Sequence, residues 1–233
     1  MRIMLALWFL CASFQCFADN GVTRLAQYLR LGGSQLDLRG APVSDADFVA
    51  LSDPTFRNVR QLLLAKVPIS DAALDYIKFL PLIELDLYRT RVTDRGLSHL
   101  RESGIERLNV SGTGVTDEGL LVLRKLPLRV LVARDTRVTD AGLVHLAGLP
   151  IRYLDLSYTL IGDAGLSKLQ ALGELEMLDL SFTAVSDSGL SQLARVPRLT
   201  QVYLAGTRVT PAGLKRFAAE SPGIEASIQL PVR

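Results

Sequence analysis

One acidic residue recurs along this chain at a nearly constant distance. Asp45, Asp71, Asp94, Asp117, Asp140, Asp163 and Asp187 each follow a Ser, Thr or Gly, and Pro211 takes the eighth place after Thr210, at spacings of 26, 23, 23, 23, 23, 24 and 24 residues. Upstream of each mark lies an apolar-x-apolar triplet: Leu36/Leu38, Leu62/Leu64, Leu85/Leu87, Leu108/Val110, Leu131/Ala133, Leu154/Leu156, Leu178/Leu180 and Val202/Leu204. Alternation of that kind is a strand signal. Downstream, apolar residues fall three apart, as Leu166 and Leu169 do after Asp163 and Gly165, which fits one or two helical turns. Neither half of such a unit can bury its apolar side alone. Each needs the same unit stacked above and below it, so the period predicts a solenoid of about eight coils. The chain is 48% hydrophobic but only 6% aromatic, so the shared interior must be aliphatic.

The unit reads L-x-x-L-D-L-S-x-T-x-V-T-D-x-G-L-x-x-L-x-x-L-P. It resembles the leucine-rich repeat, in the short-helix T-D-x-G-L form similar to bacterial and F-box-associated repeats. The resemblance covers nearly all of the chain after its first residues. It implies an α/β fold, a right-handed horseshoe with a parallel sheet on the concave side and helices on the convex side. One position departs from the family, which often has Asn where this chain has Thr90, Thr113, Thr136, Thr159, Thr183 and Thr207. These threonines are expected to point inward and bond the neighbouring turn, because buried polar groups find partners.

The other repeated residues have local reasons. Thr93, Thr116, Thr139 and Ser186 stand where helix N-caps belong, and the Asp that follows favours the positive helix end. Gly96, Gly119, Gly142, Gly165, Gly189 and Gly213 recur at one helical place at a cost of about 1 kcal/mol each, which points to close approach to the next coil. Pro81, Pro127, Pro150 and Pro197 end the helices. The first repeat is longer, and Ser52-Asp53-Pro54 suggests an extra convex turn. Residues 19–33 read as an N-terminal capping helix with Val22, Leu25 and Leu29 on one side and a stop at Gly32-Gly33. The solenoid then runs over 34–233, with a C-terminal cap from about 214 and a ninth strand within Ile224 to Ile228 that would blunt the open edge.

Residues 1–18 are of another kind. Arg2 is the only charge before Asp19, Ile3 to Phe14 is apolar, and Ala18 is a small residue at a plausible cut. This reads as a secretory signal peptide, with an uncleaved anchor as the alternative. The run is short for a membrane span, which needs roughly 20 apolar residues. Both cysteines, Cys11 and Cys16, lie within it and fit a lipoprotein box poorly, so the chain beyond carries none. A disulfide-free exported domain suits a bacterial periplasm. With 26 Lys+Arg against 24 Asp+Glu and no basic run, nothing calls for nucleic acid.

No catalytic constellation emerges. His99 and His145 occupy one repeat position two coils apart, roughly 10 Å, too far for one metal or one relay. Asn109-Val110-Ser111 fits the glycosylation pattern but lies in a strand on the concave side, where chance explains it. Asp155 and Asp179 face out on neighbouring strands, and a calcium site there would need six or more oxygens. No cofactor is expected.

Period-two geometry assigns the concave face. Val130, Val132, Tyr153, Met177 and Tyr203 form one apolar area, rimmed by Arg107, Arg134, Asp155 and Asp179. Tyr158 and Phe182 lie side by side at the strand ends. Apolar surface rimmed by charge marks an interaction site, and Tyr and Arg are favoured at hot spots. The leading expectation is therefore a secreted or periplasmic, non-enzymatic module that binds a protein partner on this face. The alternative is a self-associating or structural envelope protein. A ubiquitin-ligase adaptor is disfavoured, since about seventeen residues between leader and first strand leave no room for an F-box.

Overall fold

The structure, a computed structural model, describes residues 25–29 and 33–229. The proposed leader lies outside these residues, as does most of the proposed N-terminal cap. Of that cap, Leu25 is buried and Leu29 bridges Leu36 in antiparallel fashion.

Nine strands of three residues each form one parallel sheet in strict chain order: β1 (Gln35–Asp37), β2 (Gln61–Leu63), β3 (Glu84–Asp86), β4 (Arg107–Asn109), β5 (Val130–Val132), β6 (Tyr153–Asp155), β7 (Met177–Asp179), β8 (Gln201–Tyr203) and β9 (Glu225–Ser227). The first eight carry the repeats and the ninth closes the row. In the first eight strands each central residue, such as Leu36, Leu85 or Leu154, is buried. Its two neighbours face the concave side, as the alternation requires. The registers pair like with like, so Leu108 sits opposite Leu131 and Leu131 opposite Leu154. The result is the stack of coils that the period predicts, in the α/β leucine-rich-repeat horseshoe that the resemblance implies.

One continuous core runs the length of the stack. Its fully buried aromatics, Phe48 and Phe56, lie at the N-terminal end, and Phe217 lies near the other. Between them the interior is leucine, isoleucine and valine, as the composition demanded. The convex segments are short. Asp71–Ile77, Asp117–Leu123 and Asp187–Leu193 are α-helical, Asp94–Leu97 and Asp163–Leu166 are single α turns that tighten into 3-10 helix, and Gly142–Leu146 is 3-10 helix alone. A coil of 23 residues leaves room for no more than about two turns, and short 3-10 pieces suit such ends. The longer first coil spends its extra residues on a second 3-10 turn, Pro54–Phe56, capped by the Asp53 side chain at Thr55 N.

Two expectations about the repeated polar residues need correction. The threonine hydroxyls do point inward, but each donates within its own coil. Thr90 Oγ1 bonds the Leu87 carbonyl, and Thr113, Thr136, Thr159, Thr183 and Thr207 repeat the bond three residues back at 2.5–2.7 Å. A short β-branched side chain reaches its own turn more easily than the next one. The bond between coils is made instead by the aspartates. Asp117 Oδ1 accepts from Thr139 N at 2.8 Å and its Oδ2 from Thr139 Oγ1 at 2.6 Å. The same clasp joins Asp45 to Ser70, Asp71 to Thr93, Asp94 to Thr116, Asp163 to Ser186 and Asp187 to Thr210. Asp140 meets Gly162 and makes only the backbone half. The repeated glycines fit this clasp: a Cβ at Gly142 or Gly165 would strike the carboxyl of Asp117 or Asp140. The close approach is therefore to the preceding coil, not the next.

Candidate concave binding groove

Each of the first eight strands ends in a turn whose last residue adopts a left-handed backbone. The row comprises Gly40, Lys66, Arg89, Gly112, Asp135, Tyr158, Phe182 and Gly206, with φ between 53° and 74°. Non-glycine residues hold this conformation at a cost of roughly 1–2 kcal/mol each. In return it swings large side chains over the edge of the concave face. Tyr158 and Phe182 stack at 4.3 Å between centroids, and the Arg134 guanidinium lies 4.2 Å over the Tyr158 ring. Phe182 in turn lies against Gly206, where any Cβ would meet its ring.

The floor behind this ledge is built by the strand residues. Val130, Tyr153 and Met177 are consecutive partners across β5–β7, and Val132, Asp155, Asp179 and Tyr203 are consecutive partners across β5–β8. Val130, Tyr153 and Met177 thus form one apolar row with Val132 beside it, Tyr203 stands beyond Asp179, and all five are half-buried. Arg107 stands beside them, held by Glu84 through Nε and Nη2 at 3.1 and 2.7 Å.

Asp155 and Asp179 lie elsewhere than the rim. They sit on the floor, 7% and 6% exposed. Asp155 Oδ1 accepts from Ser157 N at 2.8 Å and Ser157 Oγ at 2.6 Å, and Asp179 Oδ1 accepts from Ser181 N at 2.8 Å. Burial pushes the Asp155 carboxyl above the ordinary carboxylate range, with the charge of Asp179 adding to the rise. Burial, then the charges of Asp155 and Asp179, push the Tyr153 phenol up to about 12.

A groove of about 1070 Å³ opens above this floor. Val132, Arg134, Tyr153, Asp155 and Asp179 line it, whereas Val130, Met177, Tyr203 and Arg107 lie outside it. It extends the other way, to Tyr88, Arg89, Asn109 and Ser111, and to Asp135 and Tyr158 on the ledge. The patch drawn from the sequence left out Tyr88, although alternation puts it on the concave face two residues after Asp86, and sequence reasoning missed Arg89. The signal was present in the left-handed row, where glycine appears at 112 and 206 in phase with Arg89 and Phe182.

The remaining candidates have structural roles. Asn109 Oδ1 accepts from Ser111 N at 3.0 Å within its own turn. His99 and His145 are half-buried on the convex side rather than exposed, and His99 Nδ1 lies 3.2 Å from Asp75. Among the described residues no three or more His, Cys, Asp or Glu gather into a metal-binding group.

The fold and its repeated core define a class. A family model described as leucine-rich repeat matches residues 105–123, 150–169 and 175–194. Two solved structures from Listeria monocytogenes share the architecture. The internalin inlF superposes with a TM-score of 0.60 at 19% identity, covering 76% of this chain and 50% of its own. Internalin C2 (inlC2) superposes at 0.51 and 21% identity, covering 83% of this chain and 88% of its own. This chain thus spans about half the length of inlF, and at these identities the likeness is one of fold. Among curated proteins none matches the sequence. The chain has the leucine-rich-repeat fold, and three of its repeats match the family's model.

Proposed function

We propose that this protein is an exported, non-enzymatic module that docks a protein partner on its concave face. Val130, Val132, Tyr153, Met177 and Tyr203 supply the apolar contact, and Arg107, Arg134, Asp155 and Asp179 supply the polar one. The observation that carries the reading is that these residues lie on five adjacent strands, β4 to β8, beside a groove of about 1070 Å³. Concave apolar surface with a few placed charges is what a partner buries. Export rests on the character of residues 1–18. Among the described residues no helix is long and apolar enough to cross a membrane.

The test is a pull-down from extract of the source organism with wild-type protein and with Tyr153→Ala/Met177→Ala. Losing two central anchors should weaken capture at least about thirtyfold, the scale of a hot spot. Equal capture by a variant with an unchanged thermal melt would refute the docking face. Light scattering of both proteins addresses the alternative: a mass that falls only in the variant would mark self-association.

A further inference from the structure

We infer that the floor of the groove takes a cationic side chain, an arginine or lysine of the docked protein, between Asp155 and Asp179. The inference rests on the concave face being the docking surface and names the chemistry of what enters it.

The two carboxylates are direct partners across β6 and β7, strands about 4.8 Å apart, and are more than nine-tenths buried. Each spends Oδ1 on its own turn. Among the described residues, neither Oδ2 accepts a hydrogen bond, and no cation lies within 4.0 Å of either group. Two other acids of the concave face are matched, Asp37 with Arg39 at 2.7 Å and Glu84 with Arg107 at 2.7 Å, whereas Asp86, with no ion pair among the described residues, accepts from Tyr88 N at 3.0 Å. Arg134, whose charge acts on Asp155 from beyond ion-pair distance, lies over the face of Tyr158.

The fold does not require these charges. Asn109, at the same place in β4, makes the same bond to Ser111 N with a neutral amide. Val132, at the same place in β5, makes none. Two buried negative charges side by side therefore exceed what the turns need, and they oppose one another. An independent feature points the same way. Ser181 lines the groove, is 2% exposed, and its Oγ has no partner, whereas its counterpart Ser157 Oγ donates to Asp155. Buried hydroxyls are ordinarily bonded, so this one is a polar group left in reserve.

Other ligands suit the groove less well. A calcium ion needs six or more oxygens, and the described residues supply no cluster of acids beyond this pair. On the ledge a sugar or base finds no open ring: Tyr158 lies against Arg134 and Phe182, and Phe182 lies against Gly206. A lysine or arginine stem, by contrast, can lie along Val132 and Tyr153 while its head reaches the two Oδ2 atoms. A guanidinium could bond both at once.

Amide NMR tests this directly, because Ser157 N and Ser181 N bond the two carboxylates. The purified protein would be titrated with acetyl-Gly-Arg-Gly-amide and with its citrulline analogue, which keeps the shape and lacks the charge. The arginine peptide should shift both serine amides saturably, the citrulline peptide should not, and Asp155→Asn/Asp179→Asn should abolish the effect. Asn109 shows that the asparagine side chain supports the turn. Equal shifts with both peptides, undiminished shifts in the double variant, or saturable shifts with calcium chloride alone would each overturn the inference. In the pull-down, the asparagine variant should lose capture at least about thirtyfold. If it captures at full strength while Tyr153→Ala/Met177→Ala does not, the cation site is refuted and the docking face stands. If neither variant loses capture, both readings fall.

Discussion

The junction between the fifth and sixth repeat marks lacks one half of its clasp, and Gly162→Ser should restore it. Gly162 N already donates to Asp140 Oδ1 at 2.8 Å, the geometry found in every sibling junction. A Cβ at this position would stand 3.6 Å from Asp140 Oδ2, an ordinary contact. The backbone there is extended, φ −130° and ψ −167°, like that of Ser186 in the same role. The added hydroxyl would therefore donate to Oδ2 as Ser186 Oγ does to Asp163 at 2.6 Å. A hydrogen bond to a charged group contributes about 1.5–3 kcal/mol net. The site is half-buried, which favours the lower end. Replacing glycine at a compatible conformation adds about 0.4–1 kcal/mol through the unfolded chain. The expected gain is about 2 kcal/mol, read as a raised urea midpoint at unchanged slope. The same substitution in an Asp140→Ala background should return only the backbone share, about 0.5 kcal/mol. A gain of equal size in both backgrounds would show that the carboxylate contributes nothing, and the clasp argument would fail.

Two further outcomes follow from the same geometry. Gly142→Ala should cost about 1–3 kcal/mol by denaturation, because its methyl meets an Asp117 carboxyl pinned by two bonds, whereas Gly173→Ala, with open space around it, should be near neutral. Asp155→Asn should raise the melting temperature at pH 7. Burial lifts the folded pKa of Asp155 above its unfolded value, so the charge opposes folding at high pH, and the benefit of removing it should fade as pH falls through that raised value. A pH-independent effect would contradict the burial argument.

The period made much of this molecule legible. A residue that recurs every 23 or 24 positions must stack on itself, so the strands, their register and the concave rows all followed from counting. Counting does not say which neighbour a side chain bonds. Thr136 satisfies the same period whether it reaches Ala133 in its own turn or the adjacent coil, and only the reach of its hydroxyl decides. Asp117 likewise reads as a helix-end charge until the next coil brings Thr139 N–H against it. The groove was half legible for a different reason. Val132, Tyr153 and Asp155 follow from alternation, but the burial of Asp155 depends on the bulk of side chains around it. Tyr88 follows from the same alternation, two residues on from Asp86, but Arg89 enters because it takes the left-handed conformation that turns the chain after its strand, which alternation does not encode.

The aspartate clasp makes each junction interchangeable with the others. A chain joined this way can gain or lose whole coils by duplication or deletion of one period, since a newcomer brings a carboxylate for the coil after it and an N–H for the coil before. The inner surface is then free to diversify coil by coil while the spine stays the same.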